Sequence, residues 1–146
     1  MIEENGKTSP LNGSTKKVVI RGCYHGEKTF PSLNGYLSET GKNPRAGGRM
    51  KKDYMWVCIE AIRKHLRGYK VTRPPIAIHY DFYEPNHGQR RDIGNILGAA
   101  DKFFEDALTA CKVIGNDNPD WVTEISGKYH QTDSEPYIEI EIEERG

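Results

Sequence analysis

The feature that most limits what this chain can fold into is an apolar stripe of about four turns. Ile96/Leu97, Ala100, Phe103/Phe104, Ala107/Leu108 and Cys111 recur with the period of an amphipathic helix. Ahead of it, Ile76, Ile78, Tyr80 and Phe82 alternate with their neighbours, which is the period of a strand. Behind it come two more strand patterns, Trp121 to about Tyr129 and Tyr137 to Glu143. In the last of these Ile138, Ile140 and Ile142 alternate with Glu139, Glu141 and Glu143, so one face is buried and the other wet. A one-sided helix and one-sided strands satisfy each other only when stacked in layers.

The first half of the chain extends the pattern. Val18-Val19-Ile20, ending at Gly22, reads as a short buried strand. Met55, Ile59, Ile62 and Leu66 fall at i, i+4, i+7 and i+11 and predict a helix, for which Gly68 supplies a stop. Between them, residues 30 to 50 contain Pro31, several glycines and the basic residues Lys42, Arg45 and Arg49, and predict a long connection. The expected order is β-α-β-α-β-β, an α+β fold with a mixed sheet and helices packed against it. Residues 1–16 are polar and Gly/Ser-rich and are expected to form a flexible tail, with 17–146 a single domain.

At 146 residues the chain can bury a workable core without staples. Cys23, Cys58 and Cys111 form an odd set with no C-x-x-C spacing, so neither a disulfide framework nor a zinc site is indicated. A reducing, cytoplasmic setting is the expectation. No segment approaches the ~20 apolar residues of a membrane span, and no membrane partner is expected. The 21 Lys/Arg and 21 Asp/Glu give a formal net charge of zero. They are unevenly placed: from Lys42 to Arg91 there are twelve basic and four acidic residues, and from Asn116 onward two basic and nine acidic. The first region can meet phosphates, whereas the second repels them.

Chemistry concentrates in Arg90-Arg91-Asp92-Ile93-Gly94-Asn95, in Lys102, and in the turn Gly115-Asn116-Asp117-Asn118. Carboxylates at Asp92 and Asp117 are of the type that holds Mg²⁺ for phosphodiester hydrolysis, and a lysine can offset charge that builds on the phosphorus centre. Each has a plainer role as well. Asp92 suits a helix N-cap, Asp117 a turn, and Lys102 a solvated helix position.

Phe30-Pro31-Ser32-Leu33-Asn34-x-Tyr36, Ala46-Gly47-Gly48-Arg49-Met50-Lys51-Lys52, Arg91-Asp92-x-x-Asn95, Lys102-Phe103, Asp106-Ala107-Leu108 and Val113-Ile114-x-Asn116-Asp117-Asn118 follow one another in order. Together they resemble the RusA family of Holliday junction resolvases, most of all its phage and prophage branch, over roughly residues 18 to 144. The resemblance implies a homodimeric endodeoxyribonuclease, dependent on Mg²⁺ with Mn²⁺ as a substitute, that nicks four-way DNA junctions in recombination and repair. Asp92 matches the first aspartate of the family's Asp-x-Asp-Asn motif, Asp117 the aspartate of the later acidic turn, and Lys102 the essential lysine. Asp120 is a second candidate in that turn. Gly94 stands where the family has its middle aspartate, so the metal set is incomplete. Asp101 and Asp106 are out of phase or too distant to replace it, and Asp81 would serve only if its side chain points toward the site.

Arg45, Arg49, Lys51, Lys52, Arg90 and Arg91 are the expected DNA contacts, positioning the backbone and not reading bases. Phe30 and Phe103 could wedge a junction, although Phe103 lies on the apolar stripe and is better read as core. Two outcomes follow from Gly94: a weakened resolvase, or a catalytically impaired branched-DNA-binding protein of a phage or prophage.

Overall fold

The computed structural model describes residues 15–21, 40, 41, 43–86 and 90–146. Six elements follow in chain order: β1 Thr15–Arg21, α1 Pro44–His65, β2 Ile76–Pro85, α2 Ile93–Ala110, β3 Val122–Thr132 and β4 Tyr137–Glu144. The fold is α+β, with a four-stranded mixed sheet in the order β1-β4-β2-β3 and two helices packed on it. β4 is antiparallel to both its neighbours, while β2 and β3 are parallel and joined through α2.

The glutamate-isoleucine alternation decides the centre of the sheet. Ile138, Ile140 and Ile142 of β4 are buried, and each lies between apolar partners or beside one. Val18 and Ile20 of β1 pair with Ile140 and Ile138, and Ile78, Tyr80 and Phe82 of β2 pair with Ile142, Ile140 and Ile138. The helices cover this face. Tyr54, Cys58 and Ile62 of α1 and Ile96, Phe103, Phe104 and Leu108 of α2 complete the core. Phe103 is wholly buried and its ring faces Tyr54 at 6.0 Å, so it is core and not a wedge. Phe30 lies outside the described residues, as do Gly22 and most of the expected connection.

The opposite face of the sheet carries polar and aromatic side chains. One row crosses all four strands in register, as Arg21 pairs with Tyr137, Tyr137 with Tyr83 and Tyr83 with His130. Their rings stack at 4.3 and 4.6 Å, and the Arg21 guanidinium lies 4.3 Å from the Tyr137 centroid.

Four boundaries differ from the sequence reading. β1 begins at Thr15, so residues 15 and 16 belong to the sheet and not to a tail. α1 begins at Pro44, which makes Arg45 and Arg49 helical where a loop was expected. The start is set by Asn43, whose side chain accepts from the Arg45 N–H at 2.9 Å, and by proline at the first helical position. Gly47 sits in this first stretch because a Cβ there would collide with the backbone of Thr40. The buried face of α1 is Tyr54, Cys58 and Ile62, with Leu66 at its end, while Met55 and Ile59 are half-buried on its flank. Gly68 follows the helix with φ +69°, the left-handed conformation that glycine tolerates best. β3 starts one residue late, at Val122, and runs on to Thr132.

Candidate functional site

Asp92 stands at the N-cap of α2. The cap itself is made by its backbone, whose carbonyl accepts from the N–H groups of Asn95 and Ile96 at 3.0 and 3.2 Å. Its carboxylate is exposed and makes no capping bond. Gly94 is in the same first turn, and a Cβ added there meets nothing within 4 Å. An aspartate at that position would therefore fit without rearrangement.

Arg91 and Arg90, just before Asp92, have different environments. The Arg91 guanidinium grips Glu84 with two bonds, Nε to Oε1 at 2.8 Å and Nη2 to Oε2 at 2.9 Å. Glu84 is buried, so this is a desolvated, bidentate pair that pins the loop to the end of β2. Arg91 therefore holds the segment that carries Asp92. Arg90 is exposed and reaches Gln131 at the end of β3 at 3.5 Å.

Asp117 belongs to the other end of the unit. It lies in an exposed turn shaped by side chains, with Asn116 accepting from the Asp117 N–H at 2.7 Å and Asn118 accepting from the Asp120 N–H at 3.0 Å. Gly115 leaves room for the Trp121 ring, which a Cβ would meet at 2.7 Å. The charge of Asp117 is felt at Glu105. Glu105 is thirteen residues beyond Asp92 on a helix that rises ~1.5 Å per residue, so the two ends are on the order of 20 Å apart. Carboxylates sharing one Mg²⁺ must approach it to ~2 Å. Asp92 and Asp117 of a single chain are not so placed, and the residues of one chain do not fit a shared ion. Among the described residues, no group of three or more His, Cys, Asp or Glu could hold a metal.

The other acids are committed elsewhere. Asp81 points to the open face of the sheet, where it bonds His130 at 2.7 Å, away from the helices. Asp101 accepts from the buried Tyr80 hydroxyl at 2.8 Å, and Asp106 pairs with Lys51 at 3.4 Å. Glu105 is pushed up to about 9 by burial first, then by its hydrogen bond with Asp101 and the charges of Asp101, Asp117 and Asp106. Lys102 is exposed on α2, about ten rises of ~1.5 Å from Asp92. Burial pushes the Cys58 thiol up, which makes it unreactive.

The basic residues form the most coherent surface. Arg45, Arg49, Lys52, Trp56 and Arg63 fall at i, i+4, i+7, i+11 and i+18 of α1, and all are exposed. They make one stripe of about 27 Å, from 18 rises of ~1.5 Å. The Arg63 guanidinium lies 5.5 Å from the Trp56 centroid. Trp56 and Arg63 are the residues sequence reasoning missed; the Asn43-Pro44 helix start, extended by the helical period, is the signal that would have found them. Lys51, tied to Asp106, stands off the stripe.

Comparison with family models finds no match, and no curated protein matches the chain.

Two measurements test these assignments. Arg91→Ala strands the buried Glu84 and is expected to destabilise by roughly 3 kcal/mol, whereas Arg90→Ala stays within about 0.5 kcal/mol. Urea unfolding of both variants checks this, and equal effects would contradict it. The folded state holds a proton on Glu105 that the unfolded chain releases above its ordinary value of 4.5. That contribution is complete below 4.5 and is lost as pH rises toward about 9. Glu105→Gln should flatten the decline of melting temperature across this window, and an unchanged slope would contradict the assignment.

Proposed function

We propose that this protein binds branched DNA through the basic stripe of α1, and that it is a RusA-like junction endonuclease whose own cleavage is weak or absent. The observation that carries the reading is the stripe itself. Four cations with one helical period meet a phosphate backbone as a continuous track, and an exposed tryptophan among them can stack on an unpaired base. The sequence blocks shared with the RusA family supply the substrate class, four-way and other branched junctions.

The second half of the proposal rests on Asp92, Gly94 and Asp117. Phosphoryl transfer needs carboxylates converging on the metal that polarises the phosphate and helps generate the nucleophile. Here the middle ligand is glycine, and Asp92 and Asp117 of one chain stand at opposite ends of α2. The protein is therefore expected to keep junction affinity while losing most of its turnover.

The test compares the wild-type chain with Gly94→Asp on a synthetic four-way junction in Mg²⁺ or Mn²⁺. Both are expected to retain the junction in a low-salt gel shift, and Gly94→Asp to nick it faster by tenfold or more. The substitution also removes a helical glycine and adds a favourable charge at a helix N-terminus, so its melting temperature should rise and not fall. Equal, robust nicking by both proteins would overturn the impaired-enzyme reading. Failure of both to bind would overturn the DNA reading altogether.

A further inference from the structure

We propose that the open face of the sheet carries a separate reactive centre that hydrolyses small activated carboxylic esters, with Ser126 as nucleophile, His79 as its base and Glu143 positioning that base. The three residues come from three adjacent strands, β3, β2 and β4. Their side chains form an unbroken run of hydrogen bonds. His79 Nδ1 lies 2.6 Å from the Ser126 hydroxyl, and His79 Nε2 lies 3.1 Å from Glu143 Oε1.

The pleat explains why these three meet. Ile78, Tyr80 and Phe82 of β2 are buried under the helices, so His79 projects from the other side. Ser126 is its register partner on β3. Glu143 is the register partner of Ala77, two residues before His79 on the same face. Its carboxylate therefore reaches His79 diagonally, across a position that holds only a methyl group.

The bonds fix where the protons sit. An ionised carboxylate only accepts, so the ring proton of neutral His79 is on Nε2, facing Glu143. Nδ1 is left with its lone pair toward Ser126, and the hydroxyl donates to it. Glu143 is held ionised, because its bonds with His79 first and Arg145 next keep its carboxyl below the usual range. A nucleophile bonded to a base, itself oriented by a carboxylate, is the arrangement that activates serine for acyl transfer. His130 supplies a contrast on the same face. It bonds Asp81 at 2.7 Å and stacks on Tyr83 at 4.6 Å, and no serine is joined to that pair among the described residues.

In the reaction, Ser126 Oγ attacks the acyl carbon of the ester as its proton passes to His79 Nδ1, and the carbonyl oxygen takes up negative charge. Lys128, the next residue of β3 on this face, is exposed and supplies a cation for that charge. Collapse breaks the bond to the leaving alcohol, which takes the proton from His79 and leaves acyl-Ser126. Water then attacks this ester, with His79 again accepting the proton and returning it to Ser126 as the acid leaves. One ester and one water give one acid and one alcohol. The strand face is open, which suits short acyl groups on activated aryl leaving groups, and the carboxylates of Glu124, Glu141 and Glu143 favour uncharged esters over anionic ones. Asp92, Lys102, Asp117 and the α1 stripe take no part, so the inference does not rest on the DNA reading.

Turnover of p-nitrophenyl acetate by the full chain tests it, together with peptide mapping of the reacted protein. The wild type is expected to release p-nitrophenol continuously and to carry an acetyl group on Ser126. Ser126→Ala and His79→Gln should each lower kcat/KM by roughly a hundredfold, the scale of general-base catalysis, while His130→Gln leaves it unchanged. Glu143→Gln should lower kcat and move the rising limb of the pH profile to lower pH, because His79 loses the carboxylate that favours its protonated form. Glu124, Glu141, Asp81, Lys128 and Arg145, the other charged groups around the ring, stay in place in that variant. A limb that does not move would reduce Glu143 to a structural contact and overturn its role. Equal turnover by wild type and Ser126→Ala, or acetylation of lysines without Ser126, would overturn the centre. If a variant fails to fold, the site of acetylation in the wild type decides.

Discussion

Two parallel neighbouring strands cannot be joined by a turn; the chain must cross from the end of one back to the start of the other. In this protein that crossover is α2, buried along its length by Ile96, Phe103, Phe104 and Leu108. Everything attached to its two ends is consequently held a helix-length apart. Asp92 and the Arg91–Glu84 clasp belong to the end of β2, and Asp117 belongs to the start of β3. The geometry of the candidate site follows from this topological requirement before any side-chain chemistry is considered.

Charge is sorted by the same scaffold. α1 lies against α2, linked by Lys51 to Asp106, and its outer surface carries Arg45, Arg49, Lys52 and Arg63. Of the other acids of α2, Asp101 turns inward to Tyr80 and Glu105 toward Asp101, where burial keeps Glu105 protonated well above the usual carboxylate range. Glu139 and Glu143 of β4 stay on the open face of the sheet, engaged with Lys17, His79 and Arg145. A neutral chain thereby presents an exposed cationic stripe on α1, while the charges on the open face of the sheet are largely paired with one another.

The strands and α2 were legible because their apolar residues keep a strict period and each element has one wet face. β4 is the clearest case, with isoleucine and glutamate alternating for six residues. α1 was only partly legible. Gly47 and Gly48 disguise its first turns as a loop, although Asn43 and Pro44 are a standard helix entrance, and the one-residue shift from Tyr54 to Met55, ~100° around the helix, arises because the sequence is apolar on both sides of the true face. The site was legible as residue types and not as an arrangement. Asp92, Lys102 and Asp117 stand out along the chain, but their separation depends on β2 and β3 being parallel, which no local pattern encodes. Arg91 looked like a phosphate ligand because its partner, Glu84, reads as an ordinary loop acid.

The most direct test of the account is the salt dependence of four-way junction binding by the wild-type chain and by the triple variant Arg45→Ala/Arg49→Ala/Lys52→Ala, followed by fluorescence anisotropy. Each phosphate contact contributes about 0.9 to the slope of log Kd against log salt on duplex DNA. The variant is expected to bind more weakly at every salt concentration, with a slope reduced by about two to three. An unchanged affinity and slope would show that α1 is not the DNA-binding surface.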